Sequence, residues 1–259
     1  MILYIIMNCV SSFNNVIKFG ILNSLYPTDF RFAMSFNNSL VASTNETTYS
    51  EVVARTNPTT TTTPSYNSLS IKGSHSLQIN ANYYLALPPQ ICTGLNAGCI
   101  SVWVKLNDTR KTTIFGLQVD GSNSYGFLTI GSYNGGGGSG VDGVNMKVYF
   151  RCNNQGQLYT ANNTLATNTW YHIVVNWNRT SNVGNMYINN LLVFFTPSLN
   201  TNDFLTYTSG SPGCLIGTWI RTNGTSATTG QVFSGQIDEF KLFSRNLSVA
   251  EINELFTKR

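Results

Sequence analysis

The chain has 259 residues, a formal charge of +4, 42% hydrophobic residues and only 10% charged ones. Asn, Thr and Ser together number 87, so neutral polar groups stand where most globular chains carry charge. This composition excludes a charge-driven disordered tail and a coiled coil, the scattered basic residues form no stripe for nucleic acid, and no apolar run approaches the roughly 18–20 residues of a membrane span.

Residues 1–29 read as a leader. Ile2–Met7 is apolar and short enough for a secretory core segment, but it lacks the usual basic flank. Residues 31–41 read as a short strand entering a polar turn. Residues 42–66 are poor in apolar groups and carry Thr59–Thr63 between two prolines, which predicts a surface loop. From Ser68 onward the pattern is short and β-like. Ile100, Val102, Val104 and Leu106 alternate, with Trp103 on the other face. Further strands are predicted over 113–119, 125–130, 144–151, 171–177, 186–188, 191–195, 214–216 and 231–243. Many short strands with polar turns, and no βαβ rhythm, predict an antiparallel sandwich or barrel. Trp103, Trp170 and Trp177 are expected in its core.

Two local signals are sharp. Met186–Ile188, Asn189-Asn190 and Leu191–Val193 spell a hairpin, because Asn tolerates the positive φ of a type I′ turn. Ser248 and Glu251 form a capping box ahead of Ile252, Leu255 and Phe256, which predicts a C-terminal helix.

Five cysteines are present, with no CxxC spacing and only two histidines, which disfavours a structural zinc site. Without Cys9, four remain. Of the three connectivities, Cys92–Cys99 and Cys152–Cys214 are favoured; free thiols in a reducing compartment are the alternative. Seven N-x-S/T sequons begin at Asn37, Asn45, Asn107, Asn162, Asn178, Asn223 and Asn246, about as many as this composition gives by chance.

The motifs Trp170-Tyr-His172-Ile-Val-Val, Met186 to Val193, Leu215-Ile-Gly217 and Phe233 to Phe243 follow one another in a specific order. The tail Ser244 to Ile252 completes them; Ser101 to Lys105 and Phe36 to Leu40 stand upstream. Over residues 30–259 this series resembles the laminin-G-like domains of the concanavalin A-like lectin/glucanase superfamily. The resemblance implies an all-β, antiparallel two-sheet jelly-roll sandwich with a short C-terminal helix. It also implies an extracellular or cell-surface module that binds glycan or protein rather than catalysing.

Simple alternation sets Asp238 on the face of Phe240 and Leu242, where a carboxylate must be paired or hydrogen-bonded. The resemblance offers a structural Ca²⁺ held by Asn37 and Asp238; acceptance of backbone N–H groups by Asp238 is the alternative. A retaining glycosidase needs two carboxyl groups about 5–5.5 Å apart. Alternation gives Asp238 no carboxylate partner on its strand face, so a hydrolase is disfavoured. His172 is expected to make a structural hydrogen bond, and no G-x-S-x-G is present. Tyr133, Asn134, Asp142 and Asn145 flank a glycine-rich loop and combine a ring with amide and carboxylate groups, as sugar sites do; a plain connector is the alternative. Trp219, with Arg221 and Asn223, offers a second rim.

Overall fold

A computed structural model describes residues 31–40, 53–57, 60–80, 83–88, 91, 95–120, 127–131, 146–152, 156–197, 214–223, 226–230 and 232–258. In chain order the strands are β1 (Phe32–Met34), β2 (Val53–Asn57), β3 (Thr60–Thr61), β4 (Ser65–Asn67), β5 (Ser76–Asn80) and β6 (Tyr84–Leu87). Next come β7 (Ala97–Leu106), β8 (Thr112–Asp120), β9 (Phe127–Ile130), β10 (Val148–Cys152), β11 (Gly156–Tyr159) and β12 (Trp170–Asn178). Then follow β13 (Val183–Ile188), β14 (Leu191–Thr196), β15 (Cys214–Ile216), β16 (Trp219–Asn223), β17 (Ser226–Gly230) and β18 (Ser234–Phe243), with helix α1 at Val249–Thr257.

The strands form two sheets. The first runs β14-β13-β12-β7-β18-β5-β4, with β1 also paired to β18. The second runs β11-β10-β9-β8-β15-β6-β2-β3, with β16 beside β8 and β17 beyond it. Among the described residues all pairs are antiparallel except β16 with β8. Alternation explains why the sheets stack. Ile100, Val102, Val104 and Leu106 of β7 face inward and meet Leu85, Ile114, Leu128, Ile130, Val148, Phe150 and Ile216 of the second sheet. Each such side chain contributes about 1.5–3 kcal/mol by leaving water. Trp177 is fully buried there and stacks on Phe150 at 5.4 Å.

The other face of the first sheet has its own small core. Cys99, Val174, Tyr187 and Phe243 point outward and are covered by Leu247, Ile252 and Leu255. The expected capping box holds α1: Glu251 N–H donates to Ser248 Oγ at 3.3 Å, and Ser248 N–H donates to Glu251 Oε2 at 2.8 Å. Ser248→Ala is expected to lower stability by about 1 kcal/mol, read as a shifted urea midpoint with an unchanged slope. The hairpin also forms as expected, with Asn189 at φ 49° and Asn190 at φ 65°.

Two expectations fail. Residues 42–66 are not one loop, since they contain β2 and β3 and lead into β4. The Thr-only β3 forms at the edge of its sheet, beyond β2, where a strand needs only half a set of ladder bonds and little apolar burial. Trp170 is not a core residue but a half-buried one on the outer face. The leader expected at 1–29 lies outside the described residues.

Candidate functional site

The informative polar residues gather where β18 changes partners. Its first part, Ser234 to Ile237, pairs with β5, and Phe240 to Leu242 pair with β1. Between them the register against β7 slips, so Asp238 opposes Trp103 while Lys241 opposes Ser101. Glu239 takes φ 48° in this bulge, a left-handed conformation that Gly normally supplies. The bulge overturns the simple alternation. Ile237, Phe240 and Leu242 all enter the core, and Asp238 does not share their face.

Asp238 instead faces the loop between β4 and β5. Its Oδ2 accepts from the Ile71 N–H at 2.8 Å and the Lys72 N–H at 3.2 Å; its Oδ1 accepts from the Glu239 N–H at 2.9 Å. Asn37 grips the same loop from the other end. Its Oδ1 accepts from Ser74 N–H at 2.8 Å and His75 N–H at 3.4 Å. Gly73 permits this approach, because a Cβ there would lie 2.0 Å from Asn37 Oδ1. The two residues therefore clamp one loop into the seam between β1 and β5.

Asp238 is fully buried. Burial pushes its pKa up to about 7, against the hydrogen bonds from Ile71 and Lys72, with Glu239 adding repulsion. The neighbouring Glu239 forms an ion pair with Lys241, and both are buried. Neither carboxylate is presented to a substrate. The donor set does not fit the calcium ion considered for Asn37 and Asp238. Calcium takes six to eight oxygens at about 2.3–2.6 Å, whereas these oxygens already face N–H groups, whose partial charge repels a cation. Among the described residues no cluster of three or more His, Cys, Asp or Glu side chains is placed to hold a metal.

The cysteines differ from expectation. Cys99 is a free thiol, fully buried beneath α1, where burial raises its pKa well above the ordinary value. Cys214 is disulfide-bonded. Its favoured partner Cys152 is excluded by topology, because β9 and β8 lie between β10 and β15. Three strand spacings of about 4.8 Å far exceed the roughly 7 Å that a disulfide can bridge between Cα atoms. Cys92 lies outside the described residues.

Tyr133, Asn134, Asp142 and Asn145 also lie outside them. Trp219 opens β16 half-buried and packs across β8, so that a Cβ on Gly116 would sit 2.8 Å from its own. His172 does make the expected structural bond, with Nε2 2.8 Å from Ser101 Oγ. It stacks on Trp103 at 5.0 Å and has Phe256 of α1 at 6.0 Å, closed off from solvent.

A family model described as the concanavalin A-like lectin/glucanases superfamily matches residues 80–253. No curated protein matches the chain. Among solved structures, domain 4 of AbnA, a GH43 extracellular arabinanase from Geobacillus stearothermophilus in complex with arabinotriose, is similar at 19% identity and a TM-score of 0.64, over 88% of this chain and 98% of that one. The receptor-binding domain of botulinum neurotoxin C/D mosaic serotype is similar at 14% identity and a TM-score of 0.56, over 89% of this chain and 51% of that one. The type G receptor-binding domain gives 15% identity and a TM-score of 0.55, again with about half of its length covered. At these identities the likeness is one of fold.

Proposed function

The chain belongs to the concanavalin A-like lectin/glucanase superfamily, and from that premise we propose that it is an extracellular carbohydrate- or protein-binding module without catalytic activity. One observation carries the reading. The strand that closes the sandwich has two adjacent carboxylates, and both are engaged inside the protein, Asp238 on backbone N–H groups and Glu239 on Lys241. A paired-carboxylate mechanism needs an acid and a base facing the sugar. The arabinotriose-bound domain and the toxin receptor-binding domains support binding as the use of this scaffold. The disulfide at Cys214 supports an oxidising compartment. Cys92 follows Leu87, the strand partner of Cys214, by five residues and is the partner we infer. Binding of the intact chain to an oligosaccharide array, with no reducing ends released from arabinan or β-glucan, is the expected result. Sugar release that disappears in Asp238→Asn would contradict it.

A second reading, a structural module inside a larger extracellular protein, is favoured by β14. This edge strand carries no charge and exposes Leu191, Leu192, Val193 and Phe195 by 71, 55, 37 and 55%. Its fitting occupant is a strand of an adjoining domain added to the open edge. Under this reading the array stays blank, and Val193→Lys separates the chain from that domain.

A further inference from the structure

Strand register lines up four side chains across the first sheet. Gln78 on β5 opposes Gln236 on β18, Gln236 opposes Lys105 on β7, and Lys105 opposes Trp170 on β12. Their strand neighbours Leu77, Ile79, Ile237, Val104 and Leu106 enter the core, so alternation turns this row to the outer face. The row runs for about 14 Å at three strand spacings, one step along the strands from the Trp103 on which Phe256 of α1 stacks.

The row has the parts of a sugar platform. Trp170 is half-exposed, which leaves part of its ring available to the apolar face of a pyranose. Lys105 is half-exposed and makes no ion pair among the described residues. Gln78 is held in place: its Nε2 donates to Asn80 Oδ1 at 2.8 Å and to Gly235 O at 2.9 Å, and its Oε1 accepts from Asn67 Nδ2 at 3.3 Å. Gln236 is the exception. It is only 3% exposed, yet its Oε1 accepts no hydrogen bond. A buried amide oxygen left in this state is unfavourable, and a hydroxyl arriving between Lys105 and Gln78 would satisfy it.

We propose that this row is a carbohydrate-binding site, in which a short oligosaccharide lies across the strands, stacks one ring on Trp170 and hydrogen-bonds through its hydroxyls to Lys105 and Gln236. The proposal rests on the carbohydrate reading above and gives it a location on the sheet rather than on the loops.

The test starts from the best oligosaccharide on the array and titrates it calorimetrically into the intact chain and its variants. Trp170→Ala and Gln236→Leu are each expected to weaken binding at least tenfold, and Lys105→Met several-fold, with thermal transitions kept within a few degrees. Tyr133→Ala is expected to bind as the parent does. Gln236→Leu removes the orphaned oxygen without opening the fold, so it remains informative if Trp170→Ala is unstable. Parental affinity in Gln236→Leu and Lys105→Met, with loss in Tyr133→Ala or Asp142→Ala, would overturn the site and leave the function standing. No oligosaccharide bound by the parent chain would overturn both.

Discussion

Asp238→Ala is expected to destabilise the fold by about 3–5 kcal/mol, a large part of the 5–15 kcal/mol typical of a domain. The substitution leaves the N–H groups of Ile71, Lys72 and Glu239 without their acceptor. It does so where β18 has left β5 and not yet met β1, so no ladder bond replaces what is lost. Urea unfolding would show it, and a loss below about 1 kcal/mol would mean that water or another group takes the carboxylate's place. The pH dependence carries the same signature. The carboxyl holds its proton up to about pH 7 in the folded chain, whereas an unfolded Asp releases it near pH 4. Between these values the folded state binds the extra proton, so this contribution is full below about pH 4 and is lost as pH rises through 7. Each tenfold difference in proton affinity is worth about 1.4 kcal/mol. Asp238→Asn should flatten that part of the stability profile.

Asn176→Ala should have the second large effect. Asn176 is buried on the outer face of β12; its Nδ2 donates to Leu247 O at 2.9 Å and its Oδ1 accepts from Leu247 N–H at 3.1 Å. This one amide holds the segment that leads into α1. Its removal strands two buried backbone groups, at a cost of about 2–4 kcal/mol, and loosens the cover over Cys99. The folded parent chain should therefore leave Cys99 unreactive toward a thiol reagent, while the variant reacts at least tenfold faster under native conditions. Equal rates would mean that α1 is held without the Asn176 bonds, by its apolar contacts and the Asn190–Asn253 hydrogen bond. Non-reducing peptide mapping of the parent should also find Cys99 free and Cys214 joined to Cys92.

Much of this architecture can be read in the chain before it folds. The alternation of Ile100, Val102, Val104 and Leu106 is a local property and marks the core face of β7. The Asn189-Asn190 turn and the Ser248–Glu251 box are likewise settled by neighbours a few residues apart. The seam is different. Asp238 and Ile71 are 167 residues apart, and the bulge that turns Asp238 toward that loop rests on Glu239, a residue type with no special claim to positive φ. Phe36 is similar: its buried ring tolerates φ 54° in the turn that presents Asn37 to Ser74. Nothing in the pattern of Thr59–Thr63 announces β3, because an edge strand is stabilised by the sheet it joins. The row from Gln78 to Trp170 needs the strand order β5-β18-β7-β12, which no single segment encodes.

The Asp238 carboxyl group is a backbone clamp, engaged in holding two parts of one sheet together. A crystal structure of the protein grown with millimolar calcium and a bound oligosaccharide tests it most directly. Asp238 Oδ2 is expected within hydrogen-bonding distance of the Ile71 and Lys72 nitrogens, with neither an ion nor a sugar against it. An ion about 2.4 Å from Asp238 and Asn37, or a glycosidic oxygen facing Asp238, would contradict it.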